Sequence, residues 1–290
     1  MDFKTCKLVI ISLIFSGSLF GQQVTPDQLT ANQVIDLVKK NVQVPWSSET
    51  VDTFKSGNPR DAVTGIITCM FADMKVLHKA VADKANLIIT HEPVFYNHLD
   101  ETQRFENDPV YQAKIKFIND HKLIIFRFHD HIHRMKPDGI YAGMVEKLGW
   151  GKFQSDTSML RFKFRSQKLS DLVGKLKVIF SGSSFRVVGN PELNFTGVAL
   201  AVGAPGSSEH IQLLQEEHIQ VLIAGEAPEW ETYQYVYDAQ LQGKNKAVIF
   251  LGHALSEEAG MKYCEHWLKG FMPKGMNIHY VENGSSFKNY

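Results

Sequence analysis

Asn86-Leu87-Ile88-Ile89-Thr90-His91-Glu92-Pro93 is the stretch on which the reading of this chain turns. A short run of apolar and β-branched residues, too brief for a helix, indicates a strand buried on both faces, as in the interior of a parallel sheet. Pro93 cannot donate to a ladder and holds Glu92 in an extended or turn conformation, so the strand ends at His91-Glu92. Open α/β sheets bind ligands at the carboxyl ends of their strands. An imidazole and a carboxylate placed there are candidate metal ligands, and the turn lets both side chains meet one centre. The bland alternative is a strand-end histidine beside a solvated glutamate.

On either side of this strand the chain alternates between elements. Residues 25–40 read as a capped helix, 63–70 as a strand, 74–84 as a helix, 108–120 as a helix, 122–128 as a strand, and 139–148 as a helix closed by Gly149. A second pass begins near residue 160: strand 161–165, helix 169–178, strand 194–202, helix 208–217, strands 220–224 and 247–252, and helix 256–269. The expected fold class is α/β, with two coupled halves, 22–150 and 151–290, each a sheet covered by helices. Residues 276–281 form a last strand that could return to the first half.

Two further segments carry metal-ligand chemistry. Phe128-His129-Asp130-His131-Ile132-His133 follows a strand directly; if the extended conformation continues, His129, His131 and His133 share one side with Asp130 opposite. Gly252-His253-Ala254-Leu255-Ser256-Glu257 passes from strand to helix, and the spacing of four between His253 and Glu257 can aim both at one point. Each has an ordinary reading of its own: solvated loop histidines in the first, and in the second a Ser256 cap with Glu257 complementing the helix dipole. Together with His91-Glu92 they are hard to explain separately. The turn Gly203-Ala204-Pro205-Gly206-Ser207-Ser208 could offer backbone N–H groups to an anion, or serve only as a tight connection.

Composition limits the function classes. Lys plus Arg and Asp plus Glu number 31 each, so no global field attracts nucleic acid or an anionic membrane, whereas the 12 histidines cluster. Lys4 and Lys7 precede an apolar run, residues 8–20, that ends at Gly21. That order reads as a secretory leader over residues 1–21 and places the mature protein in the periplasm or outside the cell, without stable membrane insertion. An uncleaved N-terminal anchor is the alternative. Cys69 and Cys264 are then the remaining cysteines, too few for a disulfide framework, and both read as core thiols.

The three motifs, in this order over residues 30–285, resemble the Nif-three-like dinuclear metal centre family, whose members often carry the description GTP cyclohydrolase I type 2. The resemblance implies a toroidal homohexamer with metal sites facing an internal cavity. The family pattern has His-His before the proline and His-Thr-Asn-Leu-Asp in the second motif; here Glu92 stands at the second His position and His133 at the Asp position. The implied ligand set is therefore His91, Glu92, His133, His253 and Glu257, which keeps the family's three imidazoles and two carboxylates. Either glutamate could bridge two ions. A shell of nitrogen and oxygen donors without thiolate suits Zn, Mn, Fe, Co or Ni. The expected function is that of an exported protein with a dinuclear centre, acting as a hydrolase on a small phosphorylated or cyclic substrate, with Glu226 or His129 as general base. Its alternative is a non-catalytic protein that stores or delivers metal. His98 and His131 carry no assigned role.

Overall fold

The computed structural model describes residues 28–287, and the leader expected over residues 1–21 lies outside them; the first helix, expected over residues 25–40, starts only at Ala31, since Thr30 is extended and bridged to Ala62. Helix α1 (Ala31–Asn41) begins at Thr30, whose hydroxyl accepts from Gln33 N while the Gln33 side chain accepts from Thr30 N. Such a capping box contributes about 1 kcal/mol. It buries Val34, Ile35 and Val38 on one face.

Two five-stranded sheets follow the same plan. In the first, β4 (Ile124–Arg127), β3 (Leu87–Thr90), β2 (Ile66–Cys69) and β10 (Ile278–Tyr280) run parallel in that order, and β1 (Phe54–Ser56) adds antiparallel to β4. In the second, β7 (Asn194–Ala201), β8 (Val221–Ala224) and β9 (Ala247–Phe250) are parallel. Its antiparallel edges are β5 (Arg161–Lys168) and β6 (Arg186–Val188). Strands β2, β3, β4, β8 and β9 are buried at every residue, as strands covered on both faces are, and only β4 among them carries a charged side chain, Arg127. The edges β1 and β6 are three residues each and were not expected, because half-exposed strands so short leave no pattern in the sequence.

Helices α2 (Met74–Ala82) and α3 (Pro109–Asp120) cover the outer face of the first sheet, and α7 (Ser207–Gln215) and α8 (Gln234–Leu241) that of the second. Of the aromatic residues around α8, Tyr233 enters the core and stacks on Phe250 at 3.9 Å, while Trp230 and Tyr237 are exposed. The inner faces of both sheets share one core with α5 (Gly139–Leu148), α6 (Leu169–Ile179) and α9 (His253–Lys269). α5 and α9 cross nearly backbone to backbone: a Cβ on Gly143 would lie 2.3 Å from the Ala259 carbonyl oxygen, and one on Gly260 would lie 2.5 Å from Ile140 Cα. Thr68 Oγ1 donates to Met261 O and so binds β2 to α9. Cys69 and Cys264 are fully buried, and burial pushes both thiols far above their usual range. Among the described residues no helix is long and apolar enough to cross a membrane.

The expectation that residues 129–133 stay extended is corrected. They form helix α4 (Asp130–Arg134), because a carboxylate distant in sequence caps it: Asp52 Oδ1 accepts from the N–H of His129 and Asp130, and Oδ2 from that of His131. Helix α9 also starts earlier than the expected residue 256, at His253, after Gly252 at φ 91°.

Candidate metal centre

The carboxyl ends of both sheets converge between the halves. From the first sheet come His91 and Glu92 after β3, and His129 and His133 on α4 after β4; from the second come His253 and Glu257 on the first turns of α9 after β9. Helical spacing of four places His129 and His133 on the side of α4 that faces His91, their rings 4.6 Å and 5.1 Å from it. The five residues His91, Glu92, His133, His253 and Glu257 are thus gathered in one place, and His129 joins them. His131 does not. The same helical turn rotates it away, fully buried, stacked on Trp46 at 3.7 Å, with Nδ1 2.7 Å from Asp52 Oδ2 and Nε2 accepting from Ser47 N. Its place is to hold α4, not to ligate.

Every imidazole of the cluster has its Nδ1 engaged from behind. His91 Nδ1 is 3.2 Å from Phe128 O, His129 Nδ1 is 3.0 Å from Asp130, His133 Nδ1 is 3.0 Å from Asp138, and His253 Nδ1 is 3.2 Å from Glu226. A carbonyl or carboxylate only accepts, so Nδ1 carries the proton and Nε2 turns to the centre; outer partners of this kind orient metal-ligating histidines. Glu226 is accordingly placed behind His253 to fix its ring, with a side chain 58% exposed, and not at the centre as the expected general base.

The inward atoms lie close together without satisfying one another. His253 Nε2 is 3.0 Å from both Glu92 Oε1 and Glu257 Oε2, His91 Nε2 is 3.4 Å from Glu257 Oε2, and His133 Nε2 is 3.7 Å from Glu257 Oε1. His91 Nε2, Glu92 Oε1 and Glu257 Oε2 are nevertheless buried without an aligned hydrogen bond. Each such orphan costs about 1–3 kcal/mol, more when charged. A cation among them removes the penalty. Two overlapping groups have their donor atoms within 4.8 Å of one another, His91 with His129 and His133, and His91 with Glu92 and Glu257. These buried residues can hold a metal ion, and the donor set of imidazole nitrogen and carboxylate oxygen fits a transition metal.

Charge is distributed accordingly. Burial would lower the His253 pKa, but Glu257 and Glu92 at its Nε2 push it up to about 11. Burial would raise Glu92, yet His253, His91 and His129 hold it at about 2, and Glu257 is lowered by the same histidine contacts. His129 drops to about 4 through burial and the neighbouring His91, which leaves it neutral and able to coordinate. His133 is raised, since Asp138 and Glu257 outweigh its burial.

Several residues outside the implied ligand set shape the site. Arg127, fully buried on β4, donates from Nε to His91 O and from Nη1 to His98 O, and its Nη2 lies 3.5 Å from Glu92 Oε2. It thereby turns Glu92 so that Oε1 alone faces the centre. Gly203, at φ 67°, leaves room for Glu257: a Cβ there would stand 2.0 Å from Glu257 Oε1. Asp138 caps α5 with Oδ1 while Oδ2 holds His133, and an Asp before a helix was the one signal available for it. Ser256 is not a cap: its hydroxyl donates to His253 O and accepts from Gly203 N, which ties the Gly203 turn to α9.

A cavity of about 400 Å³ opens on the cluster, lined among others by His98, Tyr141, Pro205 and Glu209. His98 is exposed at its mouth, its ring 6.0 Å from that of His129. The Gly203 to Ser208 turn that could have bound an anion is instead faced by acid: Ser207 Oγ donates to Glu231, and Glu209 occupies the first turn of α7.

Known proteins share this arrangement of elements. A Mycoplasmopsis pulmonis protein named GTP cyclohydrolase 1 type 2 homolog is 26% identical over 229 residues, covering 76% of this chain and 83% of its own. A Clostridium acetobutylicum protein of the same name is 24% identical over 237 residues, with 76% and 82% covered. The crystal structure of a Bacillus cereus protein related to NIF3 superposes with a TM-score of 0.70 at 12% identity, covering 88% of this chain and 97% of that one. Staphylococcus aureus protein SA1388 superposes equally well, with a TM-score of 0.70 at 14% identity and 91% and 100% covered. The description Duf34/NIF3 (NGG1p interacting factor 3) fits residues 29–285, and the chain belongs to that family.

Proposed function

We propose that the protein is an exported hydrolase whose centre takes two divalent ions, held by His91, Glu92, His129, His133, His253 and Glu257. The observation that carries this reading is the common orientation of four imidazoles, each anchored through Nδ1, around two buried carboxylates with orphaned oxygens. Six side chains converge, more donors than one tetrahedral ion needs; His91 Nε2 would serve one ion, and the remaining imidazoles and carboxylate oxygens would be available to a second. Divalent ions there supply Lewis acidity, which activates water and polarises a substrate oxygen near neutral pH. The chain's own groups do the rest. Glu257, with one oxygen toward His133 and the other toward His91, would offer two donor atoms, and Glu92, turned by Arg127, would offer one. His129 is held neutral by burial and, with Nδ1 engaged by Asp130, has only Nε2 to offer an ion, while the exposed His98 stands beyond it at the cavity mouth. The cavity in front of the centre favours a substrate site over closed metal storage.

Metal analysis of the purified protein, before and after reconstitution, tests the centre. About two equivalents are expected, falling to one or none in Glu257→Ala and His91→Ala. Hydrolysis of a small-molecule panel that disappears with the metal supports catalysis; metal binding without hydrolysis would turn the reading to delivery or storage. Export rests on the leader pattern of residues 1–21 and is tested by the N-terminus of the secreted chain. A homohexamer is tested by light scattering.

A further inference from the structure

We infer that the substrate of this centre carries a protonated amine close to the group that the ions engage, and that Glu209 is the residue that selects it. The inference rests on the proposed metal centre and deepens it. The orphaned oxygens of Glu92 and Glu257, 7% and 3% exposed, mark where a ligand-bearing cation sits, and the walls around that point decide what else can enter. Among the described residues no lysine or arginine lines the cavity. The Arg127 guanidinium lies beneath Glu92 and is engaged by Glu92, Asp100 and two backbone carbonyls, so it offers nothing to a substrate.

Carboxylates surround the centre instead. Glu92 and Glu257 lie at its heart, Asp130, Asp138 and Glu226 stand behind three of its histidines, and Glu209 faces the cavity beside Tyr141. Two divalent ions together with Arg127 do not outweigh these six. A polyphosphate or a nucleoside triphosphate would therefore enter a cavity without net positive charge and without a free cation to hold its outer phosphates. The helix N-terminus that could have helped is occupied, since Glu231 bonds Ser207 and Glu209 lies in its first turn.

Glu209 differs from the other five. Each of those touches a histidine of the centre, whereas Glu209 pairs with no basic side chain among the described residues and is half-buried on the wall facing the cluster. A half-buried carboxylate left unpaired beside a metal cavity matches an ammonium group on the incoming molecule. The substrate class that satisfies both ends is a small amino compound, such as an amino-acid amide or an amino ester, whose carbonyl reaches the ions while its ammonium reaches Glu209.

Two hydroxamates of equal length separate the claims. Butyrohydroxamate and β-alanine hydroxamate share the same metal-chelating head and differ by a terminal methyl against a terminal ammonium. Their dissociation constants for the metal-loaded full chain are read by calorimetry at pH 7 and low salt. The ammonium compound is expected to bind about fivefold more tightly, the upper scale of one half-exposed ion pair. Glu209→Gln should bring the two affinities together and Glu209→Lys should invert them, with circular dichroism and metal content confirming that each variant is folded and loaded. Equal affinity in the wild-type protein, or a preference that survives Glu209→Gln, overturns the amine inference while the metal centre stands. Tighter binding of pyrophosphate than of either hydroxamate overturns it as well. Failure of the chain to load metal at all would bring down the centre, and the amine inference with it.

Discussion

The carboxyl ends of β3 and β4 lie side by side and both deliver histidines to the same centre, yet they do so by different means. At β3 the direction is local: a buried strand, His91 at its end, and Pro93 to stop the ladder. At β4 it is imposed from afar, because Asp52 caps α4 and turns a stretch that could have continued extended into a helix. The consequence is visible in three histidines spaced two apart. His129 and His133 face the centre, and His131, between them, becomes a buried strut against Trp46 and Asp52. Alternation of a residue type therefore identifies neither a strand nor a shared face until the capping groups are known.

The largest break in this comparison is expected beneath β3. Arg127→Met removes the guanidinium that holds the His91 and His98 carbonyls and leaves Glu92 and Asp100 without it; a loss of about 3–5 kcal/mol in urea unfolding is expected. Retained stability would mean that the β3 end needs no support from β4. Next comes Asp52→Asn, which keeps one acceptor but loses the charge that caps α4 and holds His131. About 1–3 kcal/mol of stability should go, with metal affinity down about 10–100-fold because His129 and His133 are no longer fixed. If metal binding survived unchanged, the β4 end would be as self-sufficient as the β3 end. The smallest effect is expected from acid. In the metal-free protein Glu92 and Asp130 both sit at about 2, well below their unfolded values. The folded state then binds fewer protons, so this stabilisation is complete above about pH 4.5 and is lost as pH falls toward 2. Glu92, nearly buried, should account for about 1–3 kcal/mol of the loss, and Asp130, about a third exposed, for less after solvent screening. Urea unfolding of Glu92→Gln and Asp130→Asn across that window reads the two contributions separately.

Much of the architecture was legible because it depends on neighbours in sequence. The strands β2, β3, β8 and β9 announce themselves as unbroken apolar runs. Helix α5 was legible over residues 139–148, and Gly149 closes it in the left-handed conformation as expected. The motifs that carry His91, His253 and Glu257 were legible for the same reason, since each sits where a buried strand stops. The short edges β1 and β6 were not, because three half-exposed residues carry no periodicity. Arg127 was hidden inside a strand pattern, where an arginine reads as an edge or a surface residue until its carboxylate and carbonyl partners are seen.

By itself the amino-acid sequence determined the buried strands, most of the helices and the types of donor that meet at the centre, because propensity, apolar runs and proline or glycine punctuation act over a few residues. Tertiary structure alone decided which nitrogen of each histidine faces inward, that His131 is a strut, that Glu226 stands behind His253, and that Gly203 makes room for Glu257. Those outcomes depend on groups brought within a few ångströms from residues far apart in the chain, Asp52 with His131 and Gly203 with Glu257 among them, and no local pattern encodes such a meeting.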